Sequence, residues 1–160
     1  MPNSDSSSGA NPHELLKDFP VIVTIPVQWG EQDGFQHVNN VVYFRWCESA
    51  RIAYLERTGM RELVSDNGHG PILAAIRCDF RKPVTYPDTV FVGARVTRVG
   101  NSSFQMEHKI VSTALKIVVA ESDSTLVYLD YNQHKTVPVP DWLRAAISGI
   151  ETGSRITPTP

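Results

Sequence analysis

Two periodicities of hydrophobic positions divide the chain. After Pro20 a β-branched run repeats with a period of two, which predicts a strand with one apolar face formed by Val21, Val23, Ile25 and Val27. Pro26 lacks an N–H, so we expect this strand to lie at a sheet edge or to stop pairing there. Residues 29–40, which follow, are polar and irregular and predict a loop.

From Val41 the period changes to 3.6 residues and predicts a long amphipathic helix. Asn39 or Asn40 can cap its start, and Gly59 supplies its end. The apolar stripe repeats at i, i+3, i+4, i+7, i+10 and i+11 and consists of Tyr43, Trp46, Cys47, Ala50, Ala53 and Tyr54.

Several strands with short connections are predicted after this helix. We expect them at residues 72–80, 89–99, 103–111, 115–120 and 125–129, with 121–123 as a connection between the last two and a short helix at 140–147. Short hairpins allow only antiparallel pairing. The prediction is an α+β fold in which one long helix covers one face of an antiparallel sheet. Such a sheet leaves open edges and exposed apolar surface, so we also expect oligomerisation.

Length and composition narrow the class of protein. The 160 residues suggest one domain at 20–148, with flexible tails at 1–19 and 149–160. A formal charge of −2 argues against a nucleic-acid-binding protein, and no run approaches the roughly 20 apolar residues of a membrane span. Two cysteines without CxxC spacing fit a reducing compartment, so we expect a cytoplasmic protein. Scattered histidines and the lack of glycine-rich phosphate loops predict neither a metal nor a cofactor.

The candidate chemistry lies in residues 30–40, between the first strand and the long helix. The first turn of a helix presents unpaired N–H groups that stabilise negative charge. Asp33 beside such donors could act as a base or nucleophile towards a carbonyl. The alternatives are structural, because Asp33-Gly34 is also an ordinary turn pair, Asn39 an ordinary cap and His37 an ordinary loop histidine.

Residues 27–43 also resemble the signature of hotdog-fold acyl-CoA thioesterases, in the branch of the 4-hydroxybenzoyl-CoA thioesterases. The resemblance continues through 48–51, 79–83 and 95–104, so it covers most of the chain in the expected order. It implies a hotdog fold, in which an antiparallel sheet wraps one long central helix. It further implies homodimers or homotetramers with active sites at the dimer interface.

The resemblance implies a role for each residue of the loop. Asp33 would attack the thioester or activate water to do so, and the backbone N–H of Asn40 would polarise the thioester carbonyl. His37 and Asn39 would shape and orient the loop, and Tyr43 would face the site or the core.

A second group of residues is implied to bind the nucleotide end of CoA: Arg98, Asn101 and Ser102. The alternative for each is a solvated sheet surface. Two positions depart from the family: Glu31 replaces the Asp that usually opens the acid-x-Asp pair, which is a minor change, and Gln36 stands where a glycine usually precedes the histidine. If the backbone there needs a positive φ, Gln36 would resist it and the loop would bend differently.

We therefore predict an acyl-CoA thioesterase whose Asp33 is nucleophile or general base. A thioesterase acting on acyl-carrier protein and a non-catalytic acyl-CoA-binding protein are the alternatives. The sequence does not specify the acyl group.

Overall fold

The computed structural model describes residues 10–60 and 64–153. The elements, in chain order, are helix α1 (Pro12–Leu15), strand β1 (Val21–Pro26), a 3-10 turn (Trp29–Glu31), helix α2 (Asn40–Arg57), strands β2 (His69–Phe80), β3 (Thr89–Val99), β4 (Ser103–Ser112), β5 (Ile117–Asp130) and β6 (Lys135–Thr136), and helix α3 (Asp141–Gly153). The predicted order of strand, loop, long helix and meander is confirmed.

All six strands form one antiparallel sheet in the order β1-β3-β4-β5-β2, with β6 paired to β5. Both β1 and β2 are edge strands, so the edge position expected from Pro26 is confirmed. The register places Phe80 and Ser112 at one end of the sheet, which we call the Phe80 end. His69 and Val99 lie at the opposite end, the His69 end.

Helix α2 covers one face of the sheet and packs mainly against β3 and β1. The strand residues buried on this face include Val90, Val92, Ala94, Val96, Phe104, Met106, His108, Ile110, Ala120, Ser122, Ser124, Leu126 and Tyr128. The opposite face carries charged cross-strand pairs such as Arg95 with Glu107. This arrangement is the α+β hotdog fold that the pattern and the resemblance predict.

The termini of α2 follow the predicted signals. The Asn39 side chain accepts a hydrogen bond from the Val41 N–H at 3.0 Å, and Gly59 follows the helix with a φ of 89°. The predicted stripe is buried apart from Ala53, which is half-buried. Arg51 is also buried, at 6% exposure, which the sequence pattern did not predict.

The predicted break at 121–123 is wrong, because β5 runs through these residues without interruption. Their polar side chains suggest a loop, although buried and exposed positions alternate through them as in any strand. Ser122 and Ser124 are buried under α2, whereas Asp123 is exposed on the other face.

The structure also differs from the predicted N-terminal tail at 1–19. Within its described part, α1 forms a short helix, and Leu16 and Phe19 are buried. Phe19 lies against Gly93, where a Cβ would approach the aromatic ring to 2.7 Å. These two apolar side chains bury enough surface to fix the segment on the outer face of the sheet. Residues 1–9 lie outside the described part.

The C-terminal tail predicted at 149–160 likewise begins inside an ordered element, because α3 continues into it and buries Ile150. Glu151 accepts hydrogen bonds from the Tyr54 hydroxyl at 2.6 Å and from the Val96 N–H at 2.7 Å. These bonds fix α3 to α2 and β3. The remainder of this tail lies outside the described residues.

None of the described helices is long and apolar enough to span a membrane. Cys47 and Cys78 are free thiols. The cytoplasmic location stays a prediction.

Candidate active site

Two backbone hydrogen bonds fix the loop that joins β1 to α2. The Val27 N–H donates to the Asp88 carbonyl at 2.9 Å, and the Val38 N–H donates to the Val84 carbonyl at 2.8 Å. Val27 and Val38 are themselves buried in the core. The loop is therefore held at both ends against the segment that leads into β3.

Asp33 opens a tight turn within this loop. The Gln36 N–H donates to the Asp33 carbonyl at 3.0 Å, and the Asp33 N–H donates to the His37 carbonyl at 3.1 Å. The carboxylate Oδ1 accepts the Phe35 N–H at 2.8 Å, whereas no described residue donates a hydrogen bond to Oδ2. Asp33 thus forms the turn that was the structural alternative for this residue. Its carboxylate Oδ2 accepts no hydrogen bond from the described residues.

Gln36 adopts a φ of 66°. The backbone at this position is therefore in the left-handed region, where a side chain costs roughly 1–2 kcal/mol. Gln36 thus adopts the left-handed conformation that a side chain at this position was expected to resist.

The start of α2 leaves one donor unused. Asn39 uses its side chain for the Val41 N–H and its carbonyl for the Val42 N–H at 2.9 Å. The backbone N–H of Asn40 donates to no acceptor among the described residues, and Asn40 is exposed. A free N–H consequently lies at the positive end of an 18-residue helix.

A groove of about 280 Å³ opens beside this N–H. Its walls bring three predicted site residues together with part of the β2–β3 connection: His37, Val38, Asn40, Tyr43, Phe80, Arg81, Lys82 and Pro83. The Tyr43 ring meets the Phe80 ring edge-on at 5.1 Å, and burial raises the pKa of Tyr43. Asp33 lies outside the lining, on the turn that is hydrogen-bonded to His37.

The cationic wall of the groove was not predicted. The backbone N–H groups of Arg81 and Lys82 both donate to the Val119 carbonyl, at 2.8 and 3.1 Å. Arg81 forms an ion pair with Glu121 at 3.0 Å, whereas Lys82 has no ion-pair partner in the described part of the chain. The resemblance includes residues 79–83, but it does not indicate that they face the loop.

The predicted nucleotide-binding residues lie far from this groove within one chain. Arg98, Asn101 and Ser102 are at the His69 end, around the turn between β3 and β4. The 11 residues of β3 separate the two ends, which corresponds to about 30 Å. A single chain thus brings His37, Asn40 and Tyr43 together but does not bring the second group to them.

Comparison with known proteins gives the family. Residues 27–147 match the model of the thioesterase-like superfamily. The chain belongs to this superfamily. In residues 10–60 and 64–153, no three His, Cys, Asp or Glu side chains are grouped as a metal site would need.

Two relatives and one solved structure are similar over most of the chain. The chloroplastic acyl-acyl carrier protein thioesterase ATL3 of Arabidopsis thaliana is 27% identical over 77% of this chain, which spans 65% of that protein. The long-chain acyl-CoA thioesterase FadM of Escherichia coli is 24% identical over 75% of this chain and 91% of its own. A Thermus thermophilus thioesterase complexed with coenzyme A and Zn is 31% identical, with a TM-score of 0.75 over 84% of this chain and 96% of that one.

Proposed function

We propose that this chain hydrolyses an acyl-CoA thioester to the free acid and CoA. The free N–H of Asn40, a residue that lines the groove together with His37, is the observation that carries the proposal. A thioester carbonyl oxygen gains negative charge as the tetrahedral intermediate forms, and this N–H and the helix dipole stabilise that charge. Membership of the superfamily supports thioester chemistry, and the coenzyme A in the Thermus structure supports CoA as the carrier.

Asp33 is the proposed nucleophile or general base. As nucleophile it would form an acyl anhydride with release of the CoA thiolate, and water would then cleave the anhydride. As base it would take the proton of the attacking water. His37 shapes the loop, since its carbonyl holds the Asp33 N–H, and Asn39 orients the helix terminus by capping it.

Replacing Asp33 by Asn tests this role without removing the turn, because Asn keeps an Oδ1 acceptor for the Phe35 N–H. We expect Asp33→Asn to lower kcat, measured by thiol release, by roughly 10²–10⁴-fold. Asp18→Asn, which changes an exposed acid on the N-terminal segment, is the matched control. Hydrolysis by Asp33→Asn at the wild-type rate would show that Asp33 takes no part in the reaction. Label from ¹⁸O-water appearing in Asp33 after one turnover would select the nucleophile over the base.

The two alternatives give different results in the same assay. The similarity to an acyl-carrier-protein thioesterase and the cationic groove wall favour an acidic carrier as a second substrate. A kcat/KM that is higher for acyl-carrier protein than for acyl-CoA with the same acyl group would establish that function. Acyl-CoA binding without thiol release would instead indicate a non-catalytic binding protein.

A second copy is proposed to complete the site. The groove of about 280 Å³ is slightly smaller than the roughly 300–1,000 Å³ of typical ligand pockets. The edge strand β2 pairs with β5 on one side only, and it exposes four consecutive apolar residues, 72–75. Two-fold pairing of β2 with the same strand of a second copy is antiparallel, so the His69 end of one copy would lie beside the Phe80 end of the other.

Leu73→Lys tests this assembly. Leu73 is 37% exposed in the single chain, so a lysine can be accommodated there, but it would place like charges opposite one another in a paired edge. We expect sedimentation to show that the Leu73→Lys protein is a monomer. Because the site would then be incomplete, its rate of thiol release should be lower than that of the wild type. A Leu73→Lys protein that stays oligomeric and fully active would contradict assembly through β2.

A further inference from the structure

The backbone carbonyl groups of the turn between β3 and β4 accept hydrogen bonds from residues in the body of the protein. Nη2 of Arg144 donates to the carbonyl oxygens of Gly100 and Asn101, at 2.7 and 2.8 Å. The Ser102 carbonyl accepts the Tyr128 N–H at 2.8 Å. Three successive carbonyls of the turn therefore point towards the body of the protein.

This capture fixes where the amide hydrogens point. In a planar trans peptide the C=O and the following N–H point in opposite directions. Because Arg144 holds the carbonyls of Gly100 and Asn101, the N–H groups of Asn101 and Ser102 are turned away from α3. Neither N–H donates to an acceptor among the described residues, and Asn101 is exposed. Successive outward N–H groups form a concavity that binds anions.

The charges around the turn favour an anion. Arg144 is half-buried and also donates through Nε to the Val139 carbonyl at 3.0 Å, so its acceptors among the described residues are all neutral carbonyls. Its guanidinium forms no ion pair with the described carboxylates, and the same is true of the exposed Arg98 on the strand that enters the turn. Two uncompensated cations thus accompany two free N–H groups.

We propose that Arg144 is a positioning residue for a phosphate-binding turn, in which the N–H groups of Asn101 and Ser102 bind a phosphate of CoA. The inference rests on the proposed function for the identity of the ligand. The turn lies at the His69 end, so the CoA it binds belongs to the groove of the second copy, which β2 pairing brings to that end. Arg144 itself does not touch the ligand; it holds the peptide groups that do.

Two substrates with the same acyl group separate this role from a general structural one. Acyl-CoA carries the phosphates, and acyl-N-acetylcysteamine carries the same thioester without them. We expect Arg144→Gln to raise the KM for acyl-CoA about tenfold, as expected for weakened charge-assisted hydrogen bonds, with kcat retained. The kcat/KM for acyl-N-acetylcysteamine should be unchanged. An equal loss with both substrates, or no loss with either, would overturn the proposal.

Affinity for CoA itself, measured by calorimetry, keeps the test independent of hydrolysis. Wild-type protein that binds CoA without turning over any thioester would refute the proposed function, while weaker CoA binding by Arg144→Gln would still support the turn. If Arg144→Gln does not fold, Arg98→Gln provides the test, because this exposed side chain forms no hydrogen bond or ion pair with the residues that the structure describes. Unchanged CoA affinity in Arg98→Gln, or no CoA binding by the wild type, would overturn the phosphate site.

Discussion

His108 is a buried histidine that the fold keeps neutral. It lies on β4 under α2 and is 1% exposed. Neither ring nitrogen has a hydrogen-bond partner in the described part of the chain. Burial first, and the neighbouring Arg51 guanidinium second, lower the pKa of His108 from 6.5 to about 3. Acidification should therefore destabilise the folded protein through this one side chain.

The sign and size follow from proton linkage. In the unfolded chain His108 binds a proton below about pH 6.5, whereas in the folded protein it stays neutral down to about pH 3. The unfolded state binds more protons in this window, so stability is complete above it and decreases as the pH falls. Each pKa unit corresponds to about 1.4 kcal/mol, so the loss near pH 5 is about 2 kcal/mol.

Urea unfolding of the wild type and of His108→Met at pH 7.5 and pH 5 measures this loss. Methionine has a similar volume, cannot be protonated and needs no hydrogen bond, so the variant should fold with a stability within about 1.5 kcal/mol of the wild type at pH 7.5. Asp130, whose pKa is lowered mainly by the Gln133 N–H, stays ionised throughout this range and should contribute little to the difference. Protein concentration is held constant because any oligomer would add its own dependence.

The expected result is that the wild type loses about 2 kcal/mol more than His108→Met between the two pH values. His134→Asn removes an exposed histidine from a position with a φ of 52°, which asparagine tolerates, and should follow the wild type. Parallel losses in the wild type and His108→Met would refute the reasoning, because they would show that His108 is protonated equally in both states.

Two further predictions concern stability, and equilibrium unfolding in urea measures both. Glu151→Ala should lower the free energy of unfolding by about 2–4 kcal/mol, because the Val96 N–H and the Tyr54 hydroxyl lose their acceptor; a loss well below 1 kcal/mol would mean that both donors find other partners. Gln36→Val should cost about 1–2 kcal/mol and Gln36→Gly should not, because the φ of 66° suits glycine and is worst for a β-branched residue; equal stabilities would show that the turn relaxes.

The elements that were predicted correctly are specified by residues close together in the chain. Helix α2 has its cap at Asn39, its apolar stripe and its terminating Gly59 within a single segment. The alternation of β3 is also local, and its predicted bounds match the structure. Local pattern was sufficient for these elements because each forms one amphipathic surface.

The errors in secondary structure come from polar residues in the interior. A binary pattern assigns polar side chains to the surface. In this protein, however, four polar residues of α2 and the sheet are buried: Arg51 on α2, His108 on β4, and Ser122 and Ser124 on β5. The pattern therefore predicted a connection where β5 continues, and it gave no indication that Arg51 is buried. Only the tertiary packing of helix on sheet places these groups inside.

Only one wall of the groove, formed by the loop and the start of α2, could be predicted from the sequence. The loop and the helix terminus are contiguous in sequence, and the structure places His37, Asn40 and Tyr43 around one groove as a local reading would suggest. The opposite wall, at Phe80 and Lys82, is brought there by pairing of β2 with β5 over a long sequence separation. No local periodicity contains that information.

The separation of the two candidate binding regions connects assembly with function. One chain holds the carboxylate and the free helix N–H at the Phe80 end, and the Arg144-supported turn at the His69 end, about 30 Å away. A single copy cannot direct both at one CoA molecule. The proposed antiparallel pairing through β2 would bring unlike ends together, with the turn between β3 and β4 about two to three strand spacings, roughly 10–14 Å, from the shared edge. In the proposed enzyme the exposed residues 72–75 are therefore needed for activity. The contact between two copies that buries their apolar surface also brings the phosphate-binding turn of one copy to the groove of the other.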